Sequence, residues 1–120
     1  MTKISDLVEY IWKHPSRDKA FPAWSKDQLA LGFLKGFKQN AAAFSTTETG
    51  QINGCILCEP HVTEKILYVY GWIMDDSKAI KGMLFLKKKF FSGWKLQARR
   101  HGQIKTFNNL MEDRFISKLV

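Results

Sequence analysis

The sequence predicts an α+β fold in three layers, in which helices flank a mixed, mostly antiparallel sheet of about five strands. Two observations carry this prediction. Apolar residues recur at helical spacing near the N-terminus and again in a lysine-rich segment, whereas the segments between and after them alternate or run apolar as strands do. At 120 residues with 45% hydrophobic content, the chain is long enough to bury one core. We therefore expect a single domain over residues 1–120.

The first part of the chain predicts two helices and a hairpin. The pattern predicts a helix over 4–13, a loop over 14–23, and a second helix that Ser25 and Gln28 begin as a capping box and that runs through Phe37. Strands are predicted over 41–47 and 52–59, and Pro60 closes the second.

The rest of the chain predicts a crossover. A long apolar strand over 66–74 is central, and the cluster Asp75-Asp76-Ser77 caps the next helix. The remaining elements are a helix over about 77–91, strands over 94–100 and 104–108, and a short helix over 109–119. The order is α-α-β-β-β-α-β-β-(α). The helix between the third and fourth strands allows those strands to run parallel.

Positive charge is concentrated in the second half of the chain. The formal net charge is +8, and no Asp or Glu lies between Lys78 and Lys105. This segregation favours polyanion partners, although part of the charge is also explained by solubility and by cations that complement a helix C-terminus. The predicted polyanion-binding set is Lys87, Lys88, Lys89, Lys95, Arg99, Arg100 and Lys105.

Cys55 and Cys58 form a Cys-x-x-Cys pair inside a predicted strand. Positions i and i+3 of a strand point to opposite faces, so neither a disulfide nor a shared metal is favoured. The three histidines are scattered without zinc spacing. We expect buried structural thiols and no metal site.

The hairpin and central strand resemble the GNAT acyl-CoA N-acyltransferase fold. The segment from Ala43 to Ile56 resembles the second and third strands of that family, and Ile66–Ile73 its fourth strand. The segment from Phe91 to Phe107 is similar to the C-terminal strand pair of small phage-encoded members. The resemblance covers about residues 25–108. It implies acetyl-CoA as cofactor, with Ile73, Met74, Ser77, Lys78 and Lys81 as the residues that contact it.

The loop that binds the CoA pyrophosphate departs from the family pattern. Members carry a glycine-rich loop there, but this chain has no glycine between Met74 and Gly82. Asp75 and Asp76 would face phosphate charge, whereas the same residues are good helix caps. Candidates for a general base are Glu59, Glu64 and His61, near the end of the segment that resembles the third strand of the family.

Two functional hypotheses follow from these observations. In the first, a phage-like accessory or virion-assembly protein has kept the fold, lost the chemistry and binds a viral protein or the nucleic-acid backbone through its basic residues; no cofactor is then expected. In the second, the chain is an acetyl-CoA-dependent N-acetyltransferase. The sequence contains no apolar stretch of membrane-spanning length and no signal peptide. We expect a location in the host cytoplasm or the virion.

Overall fold

The fold is a five-stranded sheet with helices on both faces. A computed structural model describes the backbone of residues 3–100 and 103–107 and the side chains of residues 3–98. The elements are α1 (Ile4–Lys13), α2 (Arg17–Ala20), α3 (Lys26–Lys38), β1 (Ala42–Thr46), β2 (Ile52–His61), β3 (Ile66–Met74), α4 (Lys78–Phe90), β4 (Lys95–Arg100) and β5 (Gln103–Phe107). The predicted helix over 109–119 lies outside the described residues.

The strands follow chain order across the sheet, β1-β2-β3-β4-β5. The β3–β4 pair is parallel, because α4 carries the chain back across the sheet, and the other pairs are antiparallel. This arrangement confirms the predicted α+β class and the mixed, mostly antiparallel sheet. The predicted capping box is also present: Ser25 Oγ accepts from the Gln28 N–H at 3.1 Å, and Gln28 Oε1 accepts from the Ser25 N–H at 2.8 Å.

Two apolar cores lie on opposite sides of the sheet. One is formed under α1, α2 and α3 and includes Leu7, Phe33 and Cys55. The other lies under α4 and includes Met83 and Cys58. The two cysteines are therefore buried on opposite faces, as strand alternation predicts. The three layers follow from these two cores.

The segment predicted as a loop over 14–23 contains the one-turn helix α2. The turn closes with the Ala20 N–H donating to the Ser16 carbonyl at 2.9 Å. It places Phe21 in the core under α1, α2 and α3, where the ring contacts Phe33 and Trp24. A single turn shows no periodic pattern in sequence, so the burial of Phe21 is what accounts for it.

Strand β2 runs through Pro60 to His61, so the prediction that Pro60 ends it is wrong. Pro60 is paired with Leu67 of β3. On the other side, the β1 ladder ends at Leu57, and the Cys58 N–H still donates to the Ala41 carbonyl at 2.8 Å. Among the described residues, no strand pairs with Pro60 on that side. A proline without an N–H is tolerated at such an edge.

Strand β3 contains a bulge at Tyr70. Leu57 pairs with Gly71, but the next residue, Cys58, pairs with Val69, which leaves Tyr70 without an opposite residue. The parallel ladder to β4 joins Ile66–Val69 to Lys95–Ala98 and ends at the residue before the bulge. Within the described residues, the ladder between β3 and β4 does not extend beyond Val69 and Ala98.

Candidate functional site

The solvent side of α4 carries four exposed lysines around one exposed aromatic ring. We call Lys78, Lys81, Phe85, Lys88 and Lys89 the α4 outer face. The buried residues of the helix, among them Ile80 and Met83, lie on its opposite side. Residues three, four and seven apart share one side of a helix, which is why these five fall together. Phe85 is 64% exposed, so the lysines surround an accessible apolar ring.

The ammonium groups of the four lysines on the α4 outer face form no ion pair among the described residues. Within the part of the chain that the structure describes, the ion pairs are made by residues of α1, α2, α3, β2 and the Asp75 position, and none involves these four lysines. Lys89 Nζ lies 6.0 Å from the centroid of Phe85 and 5.4 Å from that of Phe90. The face is therefore positive and partly aromatic.

Lys87 does not belong to this face, although the sequence analysis grouped it with Lys88 and Lys89. Its residue is only 5% exposed. Its side chain borders a small cavity of about 20 Å³ between α4 and the sheet, beside Leu67 and Leu96. Position 87 follows Met83 by one helical turn and so points to the core, where the aliphatic stem of a lysine packs well. The helical spacing from Met83 distinguishes buried Lys87 from exposed Lys88 and Lys89.

The other predicted polyanion-binding residues lie on β4 and β5. Leu96 and Ala98 face the core under α4. Strand alternation therefore places Lys95 on the opposite face of the sheet. Arg99 and Arg100 end β4, and Lys105 lies within β5. The side chains of these last three residues lie outside the described part of the chain. The described cations of the predicted set thus occupy two different faces.

The two aspartates in the connection between β3 and α4 both accept hydrogen bonds from other residues of the chain. Asp76 Oδ1 accepts from the Lys78 N–H at 2.9 Å, so a carboxylate already occupies the N-terminus of α4, where a phosphate would bind. Ser77 is the N-cap residue but accepts no hydrogen bond through its side chain. Of the predicted capping cluster, Ser77 holds the N-cap position and Asp76 provides the side-chain hydrogen bond, whereas the Asp75 carboxylate bonds Tyr10 and His14 instead. These residues do not fit a CoA pyrophosphate.

Asp75 links this connection to α1. The Tyr10 hydroxyl donates to Asp75 Oδ2 at 2.6 Å, and His14 Nε2 lies 3.0 Å from Oδ1. The other ring nitrogen of His14 accepts from the Ser16 N–H at 3.1 Å, so Nε2 carries the hydrogen that faces Asp75. The hydrogen bonds from Tyr10 and His14 lower the pKa of Asp75, and burial raises the pKa of Tyr10. This cluster fastens α1 to the start of α4.

The remaining residues predicted to contact acetyl-CoA lie on different sides of the sheet. Ile73 is buried in the core under α1 to α3, and Met74 packs against the core under α4. Lys78 and Lys81 are exposed on the α4 outer face. The structure therefore places the two strand residues at two different cores and the two lysines on the solvent side of α4.

Glu59 and Glu64, two of the candidate bases, are not together. Glu59 accepts a hydrogen bond from the hydroxyl of Tyr70, the bulged residue, and lies 3.7 Å from His61 Nε2. Glu64 is exposed in the β2–β3 turn and forms no hydrogen bond or ion pair within the described residues. Tyr70 was missed by sequence reasoning. Its signal was Gly71, because a glycine inside a strand often marks a bulge.

The described residues contain neither a metal-binding group of side chains nor a disulfide. Among the residues that the structure describes, no group of three His, Cys, Asp or Glu side chains lies close enough to hold a metal ion. Cys55 and Cys58 are free and buried. In the same part of the chain, no helix is long and apolar enough to cross a membrane.

The chain was compared with protein families, curated proteins and solved structures. No family model, no curated protein and no solved structure matches the chain.

Proposed function

We propose that this protein binds the phosphate backbone of nucleic acid through the α4 outer face. The observation that carries the proposal is the group of four exposed lysines, none of them in an ion pair within the described residues, around an exposed phenylalanine. Lysine ammonium groups that are not held in ion pairs remain available to a polyanion, and their contacts with phosphate release counterions.

The shape of the face favours single strands. From Lys78 to Lys89 the helix spans about 16 Å. That length equals about five phosphates of one strand at the spacing of duplex DNA, and fewer along an extended single strand. Phe85 stands among the lysines and offers a ring on which an unpaired base can stack, a contact that a duplex does not provide. Binding would be independent of sequence, because phosphate contacts carry no base information.

The proposal extends to the role of the protein. The resemblance to small phage-encoded acyltransferase-like proteins supports an accessory or virion-assembly role in the host cytoplasm or the virion, with other viral proteins as further partners. An acidic surface of such a protein would compete for the same lysines. If single-stranded DNA displaces the protein partner, the two ligands share one site; if both bind together, the sites are separate.

Charge reversal on the α4 outer face tests the proposal. We expect the double variant Lys81→Glu, Lys88→Glu to bind a fluorescein-labelled single-stranded oligonucleotide about tenfold more weakly or worse. The salt dependence should also become shallower, by about 0.7 in the logarithmic slope for each phosphate that the variant no longer neutralises. Fluorescence anisotropy at several salt concentrations measures both quantities.

A matched control separates the face from net charge. The double variant Lys13→Glu, Lys19→Glu makes the same change in charge on α1 and α2, which lie on the other side of the sheet. Its affinity should fall much less. Phe85→Ala should weaken single-strand binding and leave the salt slope unchanged. Equal decreases in affinity in both charge variants, or no binding by the wild-type protein, would contradict the proposal.

A second candidate function is acetyl-CoA-dependent N-acetyl transfer, and one observation favours it. The bulge at Tyr70 lies directly after Val69, the last β3 residue that the described ladder pairs with β4. Glu59, a candidate base, is hydrogen-bonded to that same tyrosine. Against this stands the carboxylate of Asp76 at the α4 N-terminus.

Calorimetry with acetyl-CoA at low and moderate salt tests the second candidate. Binding that tolerates salt would support it, and Glu59→Gln should then retain the ligand while abolishing acetyl transfer to amines. Absent binding, or weak binding that salt removes, is the result we expect from the mismatch at Asp76. In that case the lysines remain the working surface.

A further inference from the structure

The outer side of α3 presents two leucines between two opposite charges. Leu31 is 67% exposed and Leu34 is 44% exposed, although both are large apolar residues on a helix whose buried side is formed by Leu29, Phe33 and Gly36. Asp27, one turn before Leu31, and Lys38, one turn after Leu34, are also exposed. These four residues form one narrow stripe, the α3 stripe, since each step is three or four residues.

The charges of the α3 stripe have no partner in the described chain. Asp27 and Lys38 appear in no ion pair or side-chain hydrogen bond among the described residues, while the neighbouring Lys26 is paired with Glu9 at 2.7 Å. Their positions near the two ends of α3 complement the helix dipole. That effect explains the charges but not the exposed leucines between them.

We propose that the α3 stripe packs against the same stripe of a second copy of this chain, antiparallel and across a two-fold axis. The stripe is symmetric about one point, midway between Gly32 and Phe33. An axis through that point brings each Leu31 to Leu34 of the second copy, and the same register brings each Asp27 to Lys38 of the second copy. A two-fold interface needs a self-complementary surface of this kind.

The mixture of charges identifies the occupant. A nucleic acid would be repelled by Asp27, and a purely acidic or basic protein face would match only one end of the stripe. A second copy matches both ends. The contact is small compared with the roughly 1,200 Å² of a stable interface. The net charge of +8 also opposes association. The dimer is therefore weak, depends on protein concentration and is favoured by moderate salt.

The expected measurement is a concentration-dependent monomer–dimer equilibrium in sedimentation velocity at moderate salt. Leu31→Glu should abolish the dimer. Asp27→Lys alone and Lys38→Asp alone should each raise the dissociation constant about fivefold or more, because each change replaces two attractive pairs with two repulsive ones. Circular dichroism and urea denaturation establish that every variant is folded.

Mixing the two single-charge variants gives the decisive result. In a mixed pair of the Asp27→Lys and Lys38→Asp proteins, both ends of the stripe again place opposite charges together, so heterodimers should form where neither protein dimerises alone. Val62→Glu, at an exposed turn far along the chain, is the control and should leave the equilibrium unchanged. A monomer at every concentration, or a dimer that is insensitive to charge and to mixing, overturns the proposal. Neither result affects the single-strand binding assay of α4.

Discussion

Replacing Gly71 with alanine is expected to lower the free energy of unfolding by about 3 kcal/mol. Gly71 lies in β3 directly against the end of α2, where an added Cβ would overlap the carbonyl oxygen of Ala20 and lie 3.0 Å from Phe21 Cε1. The obstacle is backbone and a buried ring, so neither can move aside cheaply. Urea denaturation followed by circular dichroism measures the change.

Gly82 offers the matched control, because the same substitution there should stabilise the protein. Gly82 lies inside α4, and an added Cβ would have Ala43 Cβ as its nearest neighbour, at 3.7 Å, an ordinary contact. Alanine in a helix interior is favoured over glycine by about 1 kcal/mol. The two variants should shift the urea midpoint in opposite directions. A Gly71→Ala midpoint close to that of the wild type would show that α2 is not held where the structure has it.

Both cysteines are expected to resist thiol reagents in the folded protein at neutral pH. Burial raises the pKa of Cys55 from its ordinary value of 9.0 to about 12 and raises that of Cys58 as well. A raised pKa leaves less reactive thiolate at neutral pH, and burial keeps the reagent from the sulfur atoms. Labelling with a chromogenic disulfide should therefore be at least about a hundredfold slower than in the unfolded chain.

An exposed thiol in the same protein calibrates that rate. Val62 is an exposed residue of the β2–β3 turn, and a Val62→Cys variant should react at once with one equivalent of reagent. Rapid labelling of all thiols in the folded wild type would show that β2 opens readily.

The raised pKa of the two thiols also makes the free energy of unfolding depend on pH. The stability that comes from keeping both thiols protonated is fully present below about pH 9. It is lost as the pH rises toward the pKa values of the folded protein, because the thiols of the unfolded chain ionise first.

Much of the fold was predictable because its signals are local. The strand predicted over 41–47, the apolar run of 66–74 and the capping box at Ser25 each predict one element from nearby residues alone. The structure has β1, β3 and α3 at these places. The parallel β3–β4 pair followed from the helix between them. Apart from α2, the order of the described elements could therefore be predicted from the sequence.

The parts that were not predicted depend on contacts distant in sequence. Helix α2 places Phe21 in the core, and no pattern in the neighbouring residues predicts that Phe21 is buried there. The bulge at Tyr70 depends on how β2 and β3 pair, so Gly71 alone indicates a bulge but not its position. At the candidate site, the lysines of α4 were predicted as one run, and only the helical register separates buried Lys87 from Lys88 and Lys89.

The division of the interior into two cores affects how the sequence can change. The sheet backbone separates the side chains under α4 from those under α1, α2 and α3, and even neighbouring residues such as Leu57 and Cys58 belong to different sides. Substitutions without shared neighbours have nearly additive effects on stability. We therefore expect a change under α4 to need no compensating change under α3. Selection on the lysine-bearing side can then proceed at its own rate, while the other half of the molecule is preserved.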